Sequence, residues 1–557
     1  MSSGPPADSA ADEPTDGADS GVDGDDDPDV DSAHSARGRY ADAAATTGAG
    51  AEAEADPVEA RLDDALVRVA HGAAVSVPSI LLQRGLTLAF TAALTNGFGA
   101  GAYGLFALAR RLQRYLVRLA MGFRGGLSRY LPSAADDAER DAIVSFAAVL
   151  LLSVAAAFGI GLAVAAPTVA EMTEQPPRFA AFLRLFGLGL PVALSLFVVT
   201  GTLRGLEEVG PLNLALRVGF PAAQLVVGAV GVAVGSLRVV AIGVVAAMGV
   251  VGAVGAGWLV RRRGLGLRLR GEGVPALRRR YFRYTLPLFL GGFATTTQRL
   301  GFYPLIAVFL GGVAGGVFAV GVLVGVLVRL PLMGINQFIP PVAASLHDEA
   351  HREALARLYH VTSRLVLVGV LGAAVPVVVF RRAVMSLFGP TFVEYAPLLP
   401  GFVFAQVAAC AAGSVGILLR MTDNQRALLV TNVAITAILA AVAVPLTATY
   451  GLAGLVGAYV LMFTLNNGVE VAVLYYLEGL QPFTRRHLRP VAAAVPSAVT
   501  ALAARSLAGS TVGPVVGTVA GLIVYAVAVG RLGVTSVERR LVARLVERYR
   551  TALADSV

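Results

Sequence analysis

Long apolar runs recur from about residue 73 to residue 531, and they constrain the fold more than any other feature of the sequence. A helix of about 18 residues or more is long enough to cross roughly 30 Å of hydrocarbon. Hydrophobic residues make up 56% of the 557 residues, and charged residues only 15%. A soluble globule cannot bury so large an apolar fraction, because its surface needs polar cover. The sequence therefore predicts an all-α polytopic membrane protein.

About fourteen transmembrane spans can be placed along the chain. They run approximately over 73–96, 101–123, 142–167, 179–202, 211–234, 237–260, 284–309, 314–342, 363–380, 396–419, 427–449, 451–475, 490–507 and 512–531. The connections on one side hold most of the loop arginines, whereas the opposite side holds only Arg178, Arg238, Arg381 and Arg382. The positive-inside rule assigns the arginine-rich side to the cytoplasm. We therefore expect a multi-pass protein of the plasma membrane with both termini cytoplasmic.

A short pattern occurs twice, at a fixed distance of 212 residues. Gly99, Gly104-Leu105-Phe106-Ala107 and Met121-Gly122 return as Gly311, Gly316-Val317-Phe318-Ala319 and Met333-Gly334. Six predicted spans separate the two copies, so both copies cross the membrane in the same direction. Such a repeat predicts two pseudo-symmetric six-helix lobes, related by an axis along the membrane normal, with a cavity between them.

The predicted domains follow from this repeat and from the charge distribution. Residues 1–60 hold 16 acidic residues and two arginines, which predicts a disordered acidic cytosolic tail. The remaining segments are an N-lobe at 70–260 (spans 1–6), a basic cytoplasmic linker at 261–283, a C-lobe at 284–475 (spans 7–12), spans 13 and 14 within 476–531, and a basic cytoplasmic tail at 532–557.

Arginines within the apolar spans are the candidate site residues. Each costs about 2.5–3.5 kcal/mol at the centre of a membrane helix, so it is expected to face a wet cavity or a partner. In the two-lobe arrangement, spans 1, 2 and 7 border the central cavity. A guanidinium group pairs with phosphate through two parallel hydrogen bonds and keeps its charge. The arginines predicted to face this cavity are Arg84, Arg110, Arg111, Arg114 and Arg299.

The arginines of span 2 admit a second interpretation. Arg110, Arg111, Arg114 and Arg118 fall within one arc of about 100° on a helix, which favours a phosphate-binding stripe. The same stripe could instead lie at the membrane interface, with its guanidinium groups extending to lipid phosphates.

Five further polar residues in the spans are candidate cavity groups, namely Gln83, Gln298, Gln406, Asn466 and Glu470. Glu470 could couple transport to protons, or it could form a structural pair with an arginine. Gln406 could face the cavity or form a hydrogen bond between helices.

Several classes of function find no support in the sequence. The chain contains no lysine, so it has no Walker GxxxxGK[ST] segment, and its six histidines form no HExxH motif. The outer connections are short and poor in acidic residues, which argues against a glycosyltransferase or a polymerase. We expect no enzymatic activity, no metal, no cofactor and no nucleic-acid partner.

Short motifs distributed over residues 70–535 resemble the polysaccharide-transporter branch of the MATE-like (multidrug/oligosaccharidyl-lipid/polysaccharide) exporter superfamily. The motifs are Ala102-Tyr103-Gly104-Leu105-Phe106, Gly122 followed by Ser128-Arg129-Tyr130, Gly201-Thr202-Leu203-Arg204-Gly205-Leu206, Leu387-Phe388-Gly389-Pro390-Thr391-Phe392, Leu418-Leu419-Arg420-Met421-Thr422 and Tyr450-Gly451-Leu452-Ala453-Gly454. The chain departs from the family at Phe302-Tyr303, where members often have an Asp-Arg pair, and at Asn96, where many have arginine.

The resemblance implies a fourteen-helix flippase that carries a lipid-linked oligosaccharide to the outer leaflet by alternating access. It implies that cavity arginines bind the phosphate or pyrophosphate of the lipid, a role that would fall here to Arg84, Arg110, Arg111, Arg114 and Arg299. The expected partners are the lipid-linked oligosaccharide, membrane lipids and proteins of glycan assembly, and an ion gradient or the membrane potential could supply energy. The alternatives are a cation-coupled multidrug exporter of the same fold, a membrane glycosyltransferase or polymerase, and a scaffold in a glycan-assembly complex.

Overall fold

The computed structural model describes residues 57–270, 273–336, 339–348, 351–533 and 539. Side chains are described from residue 78 onwards, apart from 209, 213, 294 and 507–511. The predicted acidic tail up to residue 56 lies outside the described residues. So does the predicted basic tail beyond residue 533, apart from Arg539.

Every regular element among the described residues is a helix. In chain order the α-helices are α1 (Pro57–Ala120), α2 (Gly125–Tyr130), α3 (Asp137–Met172), α4 (Pro177–Leu188), α5 (Leu190–Gly205), α6 (Val209–Asn213), α7 (Phe220–Val234), α8 (Leu237–Arg263), α9 (Val274–Leu300), α10 (Phe302–Phe309), α11 (Gly312–Val328), α12 (Leu330–Ile335), α13 (Ile339–Asp348), α14 (Arg352–Val379), α15 (Arg381–Ser386), α16 (Pro390–Glu394), α17 (Leu399–Ala411), α18 (Val415–Met421), α19 (Gln425–Glu478) and α20 (Leu488–Arg531). Short 3-10 helices lie at Met121–Arg124, Ala396–Leu398 and Arg485–His487, and a π-helix lies at Leu214–Gly219.

Seven helices in the described part of the chain are long and apolar enough to cross a membrane, or eight if α4 and α5, which meet at a 40° bend, form one span. The prediction of an all-α polytopic membrane protein is confirmed. The count of fourteen spans remains a prediction, because α1, α19 and α20 each cover two predicted spans and other predicted spans consist of several shorter helices.

Two glycines interrupt the longest helices at predicted span boundaries. Gly99 has a φ of 78° within α1, and Gly451 has a φ of 58° within α19. A left-handed backbone conformation costs glycine little, because glycine has no Cβ. Each glycine therefore ends one predicted span and begins the next.

Helices extend into the predicted tail and into the predicted linker. Helix α1 begins at Pro57, inside the predicted tail. In the predicted linker, α8 continues to Arg263 and α9 begins at Val274. Gly264, with a φ of 63°, caps the end of α8 by donating its N–H to the Val260 carbonyl. The arginines from 278 onwards therefore lie on a helix rather than in a loop.

Glycines of the 212-residue repeat bring the second half of α1 into backbone contact with α11. A Cβ atom at Gly104 would overlap the carbonyl oxygen of Gly312, and one at Gly316 would lie 2.7 Å from the Ala100 carbonyl oxygen. The two repeat-related helices therefore touch at the end that the sequence predicts to face outside the cell.

Two amide side chains add hydrogen bonds at this same end. Asn96 Nδ2 donates to the Leu387 carbonyl at 2.8 Å. Gln175 Nε2 donates to the Leu310 carbonyl at 2.9 Å and to the Ala307 carbonyl at 3.1 Å. Both amides lie in the first half of the chain and bind backbone in the second half, so they hold the two halves together there.

We predict that Gly104→Ala lowers the apparent Tm of the purified protein by several degrees, since overpacking costs about 1–3 kcal/mol. The matched control is Gly161→Ala in α3, where an added Cβ has no atom within 4 Å. This variant should melt at or slightly above the wild-type temperature. Thermal unfolding in detergent measures both, and equal melting temperatures for the two variants would contradict the glycine contact.

Candidate functional site

A cavity of about 190 Å³ lies between the two halves of α1, α7 and α11. Four of the five arginines predicted to bind phosphate line it, namely Arg84, Arg110, Arg111 and Arg114. The structure thus gathers these four residues around one space, as expected for residues that share a ligand.

Helix periodicity explains how one helix supplies so many of these side chains. Tyr103, Ala107, Arg110 and Arg114 follow one another at intervals of three or four residues, so they occupy one face of the second half of α1. Gln83 and Arg84, on the first half of α1, line the same cavity. The break at Gly99 allows both halves of α1 to contribute to one site.

Arg110 is the most buried of the four, with 7% of its surface exposed. Its guanidinium group lies over two aromatic rings, 5.4 Å from the centre of Phe90 and 6.0 Å from that of Phe106. Nε and Nη2 of Arg110 are buried without a hydrogen-bond partner in the described part of the chain. The rings attract the charge but leave these N–H donors unused.

Arg84 and Arg111 reach residues of the second half of the chain. Nη2 of Arg84 lies 3.8 Å from Sδ of Met333, a weak acceptor, and its buried Nε has no hydrogen-bond partner among the described residues. The guanidinium group of Arg111 lies 5.1 Å from the ring centre of Tyr303. Both arginines therefore keep donors available for a ligand.

All the charged residues that line the cavity are cationic. No carboxylate is among its lining residues, and within the described ranges none of the four arginines forms an ion pair. Two like charges 4 Å apart repel by about 4 kcal/mol at an effective dielectric constant of 20. A bound anion would relieve this repulsion, whereas a cation would add to it.

The repeat makes the two walls of the cavity chemically different. Ala107 and Ala319 both line the cavity and are related by the repeat, since 319 − 107 = 212. Arg111 and Leu323 are related in the same way, since 323 − 111 = 212, and both line it too. One position therefore supplies an arginine to the first wall and a leucine to the second, so the cavity is basic on one side and apolar on the other.

The polar residues predicted on spans 7 and 12 form hydrogen bonds with one another and do not line the cavity. Gln298 Nε2 donates to Asn466 Oδ1 at 2.7 Å, and Asn466 Nδ2 donates to Glu470 Oε1 at 2.8 Å. This network joins α9 to α19, and none of its three members lines the arginine cavity.

Arg299 does not join the other four arginines, contrary to the sequence-based expectation. It is exposed and absent from the cavity lining. The reason is its place on α9, where Thr297 contacts Tyr115 of α1 through their hydroxyl groups, 2.7 Å apart, and Gln298 is buried. A residue about 100° further round the helix points away from both.

Gln406 and Arg118 do not line the cavity, whereas Gln83 does. Gln406 Nε2 donates to the Tyr459 hydroxyl at 2.7 Å, which is a hydrogen bond between α17 and α19. Arg118, the last arginine of the span 2 stripe, is exposed and does not line the cavity. Gln83 does line the cavity, and its Nε2 is 3.4 Å from the Leu216 carbonyl.

Several polar residues of the cavity were not predicted from the sequence, among them Thr87, Thr91, Tyr103 and Gln224. Gln224 is 5% exposed, and its buried Nε2 has no hydrogen-bond partner in the described part of the chain. A signal was present, since Gln224 is the one polar residue in the stretch 218–234 of its predicted span. The same signal selected Gln406.

No protein-family model matches the chain, and no curated protein matches it by sequence. Solved structures do match it. An inward-facing multidrug resistance MATE family transporter of the MOP superfamily has a TM-score of 0.63 and 17% identity, covering 74% of this chain and 98% of the other. The lipid II flippase MurJ, in an inward closed conformation, has a TM-score of 0.65 and 10% identity, covering 81% and 96%.

A third similar structure is a MOP superfamily transporter from Pyrococcus furiosus whose binding pocket is described as having reverse polarity. It has a TM-score of 0.52 and 16% identity, covering 77% of this chain and 99% of the other. At such identities the likeness concerns the fold. The chain has the MATE-like fold that MATE transporters share with MurJ, both of the MOP superfamily.

Proposed function

We propose that the protein is a flippase for a polyprenyl- or dolichyl-linked oligosaccharide, joined to its lipid through phosphate or pyrophosphate. It moves this substrate from the cytoplasmic to the outer leaflet by alternating access between two six-helix lobes. The observation that carries the proposal is the cavity of four arginines without a carboxylate counter-ion among the described residues. Guanidinium groups arranged in this way can donate hydrogen bonds to several oxygen atoms of one anion.

The fold supports a transporter, and the charge of the cavity selects among transporters. The similar structures include both a multidrug resistance transporter and a lipid II flippase, so the fold alone favours neither substrate. A cationic drug needs carboxylates to offset its charge, and none is among the residues that line this cavity. The four arginines would repel it, so a multidrug exporter for cations is the weaker proposal.

The two walls suit the two parts of a phospholipid-like substrate. Arg110 and Arg114 offer guanidinium donors to the phosphate, and the rings of Phe90 and Phe106 hold Arg110 in place. The apolar side, with Ala319 and Leu323, suits the first part of the lipid chain. The cavity therefore suits the phosphate together with the atoms on either side of it.

The glycine contact between α1 and α11 supports an inward state in which the outer side is closed. The similar structures with TM-scores of 0.63 and 0.65 are also in inward conformations. Release to the outer leaflet would then require the Gly104–Gly312 contact and the amide hydrogen bonds of Asn96 and Gln175 to open. An inside-negative potential would favour outward movement of the anion by about 2.3 kcal/mol per charge per 100 mV.

We predict that Arg110→Met raises the apparent Tm of the unliganded protein by several degrees. The change removes a buried charge without an ion-pair partner in the described part of the chain and replaces it with an apolar side chain of similar length. The control is Arg299→Met, which changes an exposed arginine outside the cavity lining and should melt as the wild type does. A lower Tm for Arg110→Met would assign Arg110 a structural role instead.

We further predict that Arg110→Gln and Arg114→Gln each slow flipping by about tenfold or more, since a hydrogen bond to a charged group contributes about 1.5–3 kcal/mol. The assay uses proteoliposomes that contain a polyprenyl diphosphate with a fluorescent sugar, and dithionite bleaches the label in the outer leaflet. Arg118→Gln, the matched control, should flip nearly as fast as the wild type. Equal rates in all three variants would favour the interfacial interpretation of the span 2 stripe.

A further inference from the structure

The amide nitrogen of Gln224 differs from those of the other buried glutamines of the membrane helices. Gln113 donates to the Phe186 carbonyl at 2.9 Å, and Gln298 and Gln406 donate to Asn466 and Tyr459. Gln224 Nε2 is buried without a hydrogen-bond partner among the described residues. Leaving such a group unpaired costs about 1–3 kcal/mol. We therefore expect a ligand that enters the cavity to accept a hydrogen bond from this amide.

The position of Gln224 places it beside the arginines. It lines the cavity from α7, one helical turn before Gly228. A Cβ atom at Gly228 would lie 2.8 Å from Cδ2 of Phe90, so this face of α7 rests on that ring. The guanidinium group of Arg110 lies over the same ring. A ligand group bound near Gln224 is therefore close to the anion held by Arg110.

The other neutral polar groups of this wall already have partners. The hydroxyl of Thr87 donates to the Gln83 carbonyl at 2.8 Å, and the amide of Gln83 donates to the Leu216 carbonyl at 3.4 Å. The amide of Gln224 is uncharged and both donates and accepts. Its chemistry matches a hydroxyl or an acylamino group, whereas the guanidinium groups match the phosphate.

We propose that Gln224 is a specificity-determining residue that hydrogen-bonds to the sugar attached directly to the phosphate. It thereby favours a glycosylated carrier over one that carries the phosphate alone. This inference rests on the proposed function. It adds that the cavity has a neutral part that recognises the sugar beside the basic part that recognises the anion.

The test compares two phosphodiesters of equal charge, dodecyl methyl phosphate and dodecyl glucosyl phosphate. Calorimetry measures their binding to the full-length protein in detergent. The wild type should bind the glucosyl diester about tenfold more tightly, the value of one hydrogen bond to a previously unpaired group. Gln224→Leu should lose this preference and keep its affinity for the methyl diester.

Gln113→Leu is the matched control. It removes an amide that already has a partner, so it should lower the apparent Tm and keep the preference for the glucosyl diester. Gln224→Leu should instead raise the apparent Tm of the unliganded protein, because it removes an unpaired polar group. Gln224→Met, with an unbranched side chain, provides the same comparison if the leucine variant does not fold.

The outcomes separate this inference from the proposed function. A Gln224 variant that retains the tenfold preference would overturn the inference, and so would a wild type that binds both diesters equally. In both cases the binding of a phosphodiester would still support the proposed function. A wild type that binds neither diester would overturn both.

Discussion

Burial of several guanidinium groups inside an apolar helical protein is the constraint on which this structure depends. Arg110 is held by two aromatic rings, yet two of its nitrogen atoms have no hydrogen-bond partner in the described part of the chain. Such an arrangement costs stability unless a partner arrives. The most economical explanation is that the partner is a ligand, and that its charge is negative. The fold supplies a space for such a ligand, because both halves of α1 together with α7 and α11 enclose the cavity that these arginines line.

The site forms between two helices that share the sequence repeat but differ in the side chains that face the cavity. The repeated glycines let the second half of α1 and α11 approach closely, so two repeat-related helices meet at the predicted outer end and both line the cavity. At equivalent positions on these helices, Arg111 faces one side of the cavity and Leu323 the other. A symmetric cavity would be basic or apolar throughout. The asymmetric one suits a substrate with an anionic headgroup and a hydrocarbon chain.

The sequence predicts the fold class well, because membrane helices have a strong compositional signal and glycine marks their breaks, as at Gly99 and Gly451. The arc of arginines on span 2 was also visible, because periodicity alone places Arg110 and Arg114 on one face. The orientation of Arg299 could not be predicted, since it depends on how α9 turns its Thr297 towards Tyr115. The role of Gln224 could not be predicted, because it depends on an amide nitrogen without a hydrogen-bond partner among the described residues. The sequence does not show which amides are paired.

The central claim is that this protein moves a lipid-linked glycan outward. The most direct measurement is the sidedness of lipid-linked glycans in cells that lack the protein, using sealed right-side-out vesicles and an impermeant glycosidase. The account predicts that precursor accumulates in a form protected from the enzyme, and that the wild-type chain restores its exposure. Normal exposure of the glycan in the deletion strain, with no second flippase active, would contradict the account.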